Sequence, residues 1–134
     1  MKHSDGSQSF WIPFTLPSMN KVIGANRNSK YNGAKLKKNV QRDIDLVIRK
    51  SDLKPVKGPV EIEIHWFEEN ARRDVDNIQS GKKFILDSLV EMKILPDDNQ
   101  RWVKQIWDTV IVARGNQDAG VLVILYEIKG SSRK

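Results

Sequence analysis

The chain has no cysteine. Disulfides, thiolate zinc sites and cysteine nucleophiles are therefore excluded, in keeping with a cytoplasmic location. It also lacks any apolar run of about 18 residues, and its first residues, MKHSDGSQSF, hold neither an apolar segment nor a small-residue cleavage site, so a membrane span and secretion both lack support. No glycine-rich loop follows a candidate strand, which removes the usual nucleotide-binding fingerprints, and no internal repeat is present. What is there suits one soluble domain over residues 1–134, with 1–9 and 130–134 expected to be flexible. At 39% hydrophobic content, such a chain buries roughly two-thirds of its unfolded surface.

Acidic residues are scarce in the first part of the chain. Residues 1–59 hold 12 Lys/Arg against 4 Asp/Glu, while residues 60–134 hold 11 against 13. The net charge of +6 thus sits towards one end, where a polyanion would lie, although such an excess also serves plain solubility.

Periodicity supplies the elements. Phe10 to Phe14 reads as a short strand that Pro13 ends, and Leu16 Pro17 Ser18 Met19 Asn20 as a turn. After a polar, basic loop, Leu36, Val40, Ile44 and Val47/Ile48 make a helical stripe over residues 34–48. Lys35, Lys37, Lys38 and Arg42 fall largely off that stripe; with Arg27 and Lys30 they form either a solvated face or a surface that tracks phosphates. Val60 to Phe67 alternates with period two, placing Val60, Ile62, Ile64 and Trp66 inward and Glu61, Glu63 and His65 outward. His65 reads as a surface residue rather than a ligand. A second stripe, Ile78, Phe84/Ile85, Leu89 and Met92, predicts a helix over 77–93, interrupted by Gly81, which costs roughly 1 kcal/mol there unless something approaches closely. Residues 103–112 and 121–128 read as strands joined by a hairpin turn at 114–120, the first with an imperfect alternation that hides a bulge. The expected class is α+β, a small mixed or mostly antiparallel sheet with two helices. Trp66, Phe67, Trp102 and Trp107 are core residues by default, with base stacking as the alternative.

Chemistry concentrates between Arg72 and Asp98. Asp74 and Asp76 are expected at a strand end, where residues two apart share a face, so that both carboxylates meet one cation. Oxygen ligands favour a hard ion, and Mg²⁺ takes one or two carboxylates, waters and phosphate oxygens. Asp97 or Asp98 is a third ligand if the strand that follows carries it into the site or if the helix between is short or bent, since at full length its far end cannot reach its start. The plainer alternatives are an N-cap for Asp76 and a turn for Pro96 Asp97 Asp98 Asn99. Arg72, Arg73, Lys82 and Lys83 favour the metal reading, because carboxylates that serve an anionic substrate need cations around them. Lys83 and Asp87, four apart, are placed to pair and leave Lys82 free. The reaction class is metal-assisted phosphodiester hydrolysis.

Here the chain resembles the RusA-type Holliday junction resolvases, small Mg²⁺-dependent endonucleases carried largely by phages. The resemblance runs through Leu16 Pro17 Ser18 Met19 Asn20, Arg73 Asp74 Val75 Asp76 Asn77, Asp87 Ser88 Leu89 and Asp97 Asp98 Asn99 Gln100. It implies a RusA-like fold and a homodimer that cuts branched DNA, the four-way junction, in recombination and repair. Asp74, Asp76 and Asp98 become the catalytic metal ligands and Lys83 the catalytic lysine, with Lys82 the competitor for that role. Lys83 keeps the family's four-residue spacing to Asp87, while Gln79, Ser80 and Gly81 look like an added near-turn. Arg27, Lys30, Lys35, Lys38, Arg72, Arg73 and Lys82 are the expected DNA contacts. A non-catalytic DNA- or RNA-binding module and a flap or branched-DNA nuclease of the same fold are the alternatives.

Overall fold

The strand Val60–Glu68 alternates buried and half-exposed side chains from end to end, and the sheet is assembled around it. The computed structural model describes residue 3 and residues 5–18 and 30–128, with backbone alone at 30–32 and 116. Its elements are β1 (Gln8–Ile12), α1 (Lys30–Lys50), β2 (Val60–Glu68), α2 (Val75–Gln79), α3 (Lys82–Glu91), β3 (Val103–Val112), a 3₁₀ turn (Asn116–Asp118) and β4 (Gly120–Glu127). They form the expected α+β domain, one four-stranded mixed sheet in the order β1-β4-β2-β3 with two helical segments, the second split into α2 and α3. No helix among the described residues is long and apolar enough to cross a membrane.

Three strand bounds follow the sequence closely, the first strand starts and ends two residues earlier than expected, at Gln8–Ile12, and one pairing differs. Instead of a hairpin between β3 and β4, β3 pairs in parallel with β2, and β4 lies antiparallel on the other side of β2 and beside β1. A parallel pair needs a crossover, which α2 and α3 supply. The turn residues between β3 and β4 therefore carry the chain across two strand spacings, about 10 Å, rather than one. The bulge is present: Val60 pairs with Val103 and Glu61 with Gln105, leaving Lys104 as the extra residue.

Both helical stripes bury against one face of the sheet. Ile44 and Ile48 of α1, and Phe84, Ile85 and Leu89 of α3, join Ile62, Ile64, Trp66, Val123 and Leu125 in one core. Each such side chain contributes about 1.5–3 kcal/mol by leaving water. Gln41 ties the two helices together, donating to the Phe84 carbonyl at 3.1 Å and to the Ser88 hydroxyl. The opposite face of the sheet carries Trp11, Trp107 and Ile111 exposed to solvent. On it the Trp11 ring occupies the space that a side chain at Gly120 would need, and meets Phe67 edge-on at 5.8 Å between ring centres.

The first strand begins before Phe10, at Gln8. Gln8 is buried in β1, where its side-chain amide donates to the Lys54 carbonyl at 2.9 Å and accepts from the Lys54 N–H at 2.7 Å. One glutamine thus takes the place of a strand neighbour.

Candidate functional site

Gly81 decides the geometry of the stretch from Arg72 to Asp98. A Cβ there would lie 3.1 Å from Leu16 Cβ, so the close approach that the glycine allows is to the Leu16 side chain. At this point the helix ladder tightens to three-residue bonds, Gly81 N–H to the Ile78 carbonyl and Phe84 N–H to the Gly81 carbonyl, and the predicted single helix becomes α2 and α3. Beyond α3, Lys93 adopts a left-handed conformation (φ 64°), and Ile94 and Leu95 both donate back to the Leu89 carbonyl. The chain reverses there without a glycine. The reversal brings Asp98 back alongside α3, 3.5 Å from Lys83 Nζ, while Asp87 lies 3.0 Å from the same nitrogen. The Asp87 hydrogen bond, reinforced by both carboxylate charges, raises the Lys83 pKa above the usual lysine value.

Asp74 and Asp76 sit differently from expectation. β2 ends at Glu68, and a loop separates it from Asp74, which is the N-cap of α2 without making a side-chain cap bond; Asp76 is in the first helical turn. Their shared face is that of a helix start rather than of a strand. Both are exposed, and Asp76 accepts the Asn77 N–H at 3.0 Å. Carboxylates at this end of a helix are favoured by its dipole whether or not they bind anything. Among the described residues, no three of His, Cys, Asp or Glu converge closely enough to hold a metal ion. Asp74, Asp76 and Asp98 are thus not gathered into one ligand set, because the Asp98 carboxylate is drawn to Lys83. Asp97 is occupied by its own turn, accepting from the Asp98 N–H at 2.8 Å and from Asn99 at 3.1 Å. As donors, two exposed carboxylates suit a hydrated Mg²⁺, which needs no more than that from a protein.

The expected cations divide. Lys82 is not free: its ammonium lies 2.7 Å from Asp108 Oδ2, and the other Asp108 oxygen accepts from Trp66 Nε1 at 2.8 Å. Arg73 forms a two-pronged pair with Glu68, at 3.0 and 2.8 Å, and donates to the Leu16 carbonyl at 2.9 Å. Both receiving carboxylates are nearly out of water, with side chains 9% exposed. Neither cation is available as a simple phosphate contact. Arg72 on the loop and Lys35 and Lys38 on α1 are exposed. Arg27 lies outside the described residues, and Lys30 opens α1 with its side chain likewise outside them. Of the aromatic residues, Trp66 is fully buried, Trp102 packs against the core, Phe67 is half-buried on the open face and Trp107 is exposed.

Asp108 and Glu68 escaped the sequence reading, yet strand parity marks both. Asp108 lies opposite Ile64, between inward-facing Ile106 and Val110, and Glu68 continues the inward series that ends in Trp66. A carboxylate at an inward position requires a cation or a donor. No protein-family model and no curated protein sequence matches the chain.

Proposed function

We propose that this chain is an Mg²⁺-dependent endonuclease of the RusA type, which acts as a homodimer to resolve four-way DNA junctions in recombination and repair. The observation that carries the proposal is the return of Asp98 to Lys83 beside α3, which draws the second acidic group back towards the start of a stretch that already presents Asp74 and Asp76. Asp74 and Asp76 are the residues to hold Mg²⁺. The bound ion supplies a Lewis acid for the phosphodiester and a water of lowered pKa. Lys83, held by Asp87 and Asp98, places a positive charge for the negative charge that builds on the phosphate oxygens. Asp98 acts through Lys83 by orienting it. Arg72, Lys35 and Lys38 are available to phosphates along the backbone, where their contribution falls with added salt.

The test is a synthetic four-way junction incubated with folded protein and Mg²⁺. Paired, symmetric nicks are expected, with loss of nicking in Asp76→Asn. An intact junction overturns the proposal. Equal cutting of flap and linear duplex substrates redirects it to a less selective nuclease.

One observation favours a second reading. Asp74 and Asp76 open α2, where the helix dipole favours carboxylates with no metal bound, which fits a non-catalytic DNA- or RNA-binding module. In that case salt-sensitive binding persists, and neutralising Asp74 and Asp76 strengthens it.

A further inference from the structure

The Leu16 Pro17 Ser18 segment and the Arg72–Arg73 dipeptide come together in space. Together with Leu36 and Val40 of α1 they line a cleft of about 490 Å³. That volume falls within the range of small-ligand clefts, about 300–1,000 Å³. One wall is fixed in advance. Arg73 is held by Glu68 and the Leu16 carbonyl, and Glu68 itself is buried, so the guanidinium does not need to be ordered when a ligand arrives. Of its five N–H groups these bonds use three, leaving two for a ligand.

The lining selects among ligand classes. Leu16, Pro17, Leu36 and Val40 offer apolar contact, whereas Glu68 and Glu69 are carboxylates in the same cleft. With Glu68 paired to Arg73, Glu69 and Arg72 leave the cleft no net charge to draw a free phosphate, which also gains nothing from the apolar side chains. A neutral, planar, heteroaromatic ring gains from both parts. Its faces pack on aliphatic side chains and a guanidinium plane, and its edge donates to Glu69 and bonds the amide of Asn70. Position agrees with composition, since Arg72 and Arg73 lead directly into Asp74 and Asp76. A ring seated here anchors a nucleotide next to the carboxylates proposed to act on the backbone.

We propose that the cleft receives one unstacked nucleobase at the branch point of the DNA, an inference that rests on the junction-cutting function proposed above. A base at a branch is already partly unpaired, so drawing it out costs less there than in continuous duplex. The cleft thereby recognises branched structure.

The experiment uses the full chain and four-way junctions carrying 2-aminopurine at single positions around the branch, in EDTA so that the strands stay intact. This base is dim when stacked in DNA and brightens when unstacked, and among the described residues no aromatic side chain lines the cleft to quench it. A several-fold rise in emission is expected at one branch position and none at the same nucleotide in linear duplex. Leu36→Trp fills the cleft; that variant is expected to lose the rise and to bind the junction roughly tenfold more weakly. A saturated wild-type complex with unchanged emission at every branch position overturns the inference while leaving the nuclease proposal standing, and this arm needs no variant to fold. The same rise in folded Leu36→Trp also overturns it. If no complex forms with the junction, both proposals fall together.

Discussion

Arg73 and Lys82 point their charges at buried carboxylates, whereas their sequence neighbours Arg72 and Lys83 keep theirs towards the surface. All four look alike as a basic cluster around an acidic motif. The difference comes from what lies beneath each. Glu68 ends the inward side of β2 and Asp108 sits on the inward side of β3, so each needs a partner once the sheet is covered, and the nearest cation is consumed in providing it. The remaining two stay at the surface, Arg72 exposed on its loop and Lys83 paired with the surface carboxylates Asp87 and Asp98. Scaffold and candidate site are thus interleaved residue by residue, with the scaffold pairs fixing the loop before α2 and the first turn of α3.

The largest effect on stability is expected from breaking the inward pairs. Glu68→Ala or Asp108→Ala leaves a partly buried cation without its partner, and in the Asp108 case also an indole N–H. Each variant should cost about 3 kcal/mol in a denaturant melt; a loss within 0.5 kcal/mol, roughly the range of an ordinary surface change, contradicts the inward assignment. The lysines should then separate by readout. Lys83→Met is expected to slow nicking by about 30-fold, close to 2 kcal/mol of transition-state stabilisation, with little change in melting. Lys82→Met should do the reverse, lowering stability and sparing the rate at temperatures where it is folded. Equal rate losses from the two variants erase the distinction.

The smallest effect concerns pH. The folded-state pKa of Lys83 is raised, so its pairings contribute fully below the ordinary lysine value, about 10.4, and the contribution fades as pH climbs through the raised value. The stability gap between wild type and Lys83→Met should shrink above that point. It should be small throughout, because the Lys83 side chain is more than half exposed and screened by solvent. A gap unchanged between neutral pH and pH well above 10 means that the lysine does not pair in solution.

Period-two and helical patterns located the strands, α1 and the core face because burial itself enforces those periods. Sheet order was not legible in the same way. The residues around Gly115 permit a tight hairpin or a longer passage over β2 equally well, and only the competition of β4 and β3 for the two edges of β2 decides between them. The split of the second helix was visible as the unexplained cost of Gly81, but its cause, Leu16, lies far away in sequence. Asp74 and Asp76 were recognised as a unit, yet their setting was misassigned because the loop after Glu68 has no periodicity to mark where the strand ends. The left-handed turn at Lys93, which returns Asp98 to Lys83, lacks the glycine that usually announces one.

Asp76→Asn and Asp108→Asn, compared side by side, test the division between site and scaffold most directly. Each protein is melted and then assayed for Mg²⁺-dependent nicking of a four-way junction at a temperature where both are folded. Asp76→Asn should melt with the wild type and nick at least about 100-fold more slowly. Asp108→Asn should melt lower and still nick. Wild-type nicking by Asp76→Asn contradicts the account.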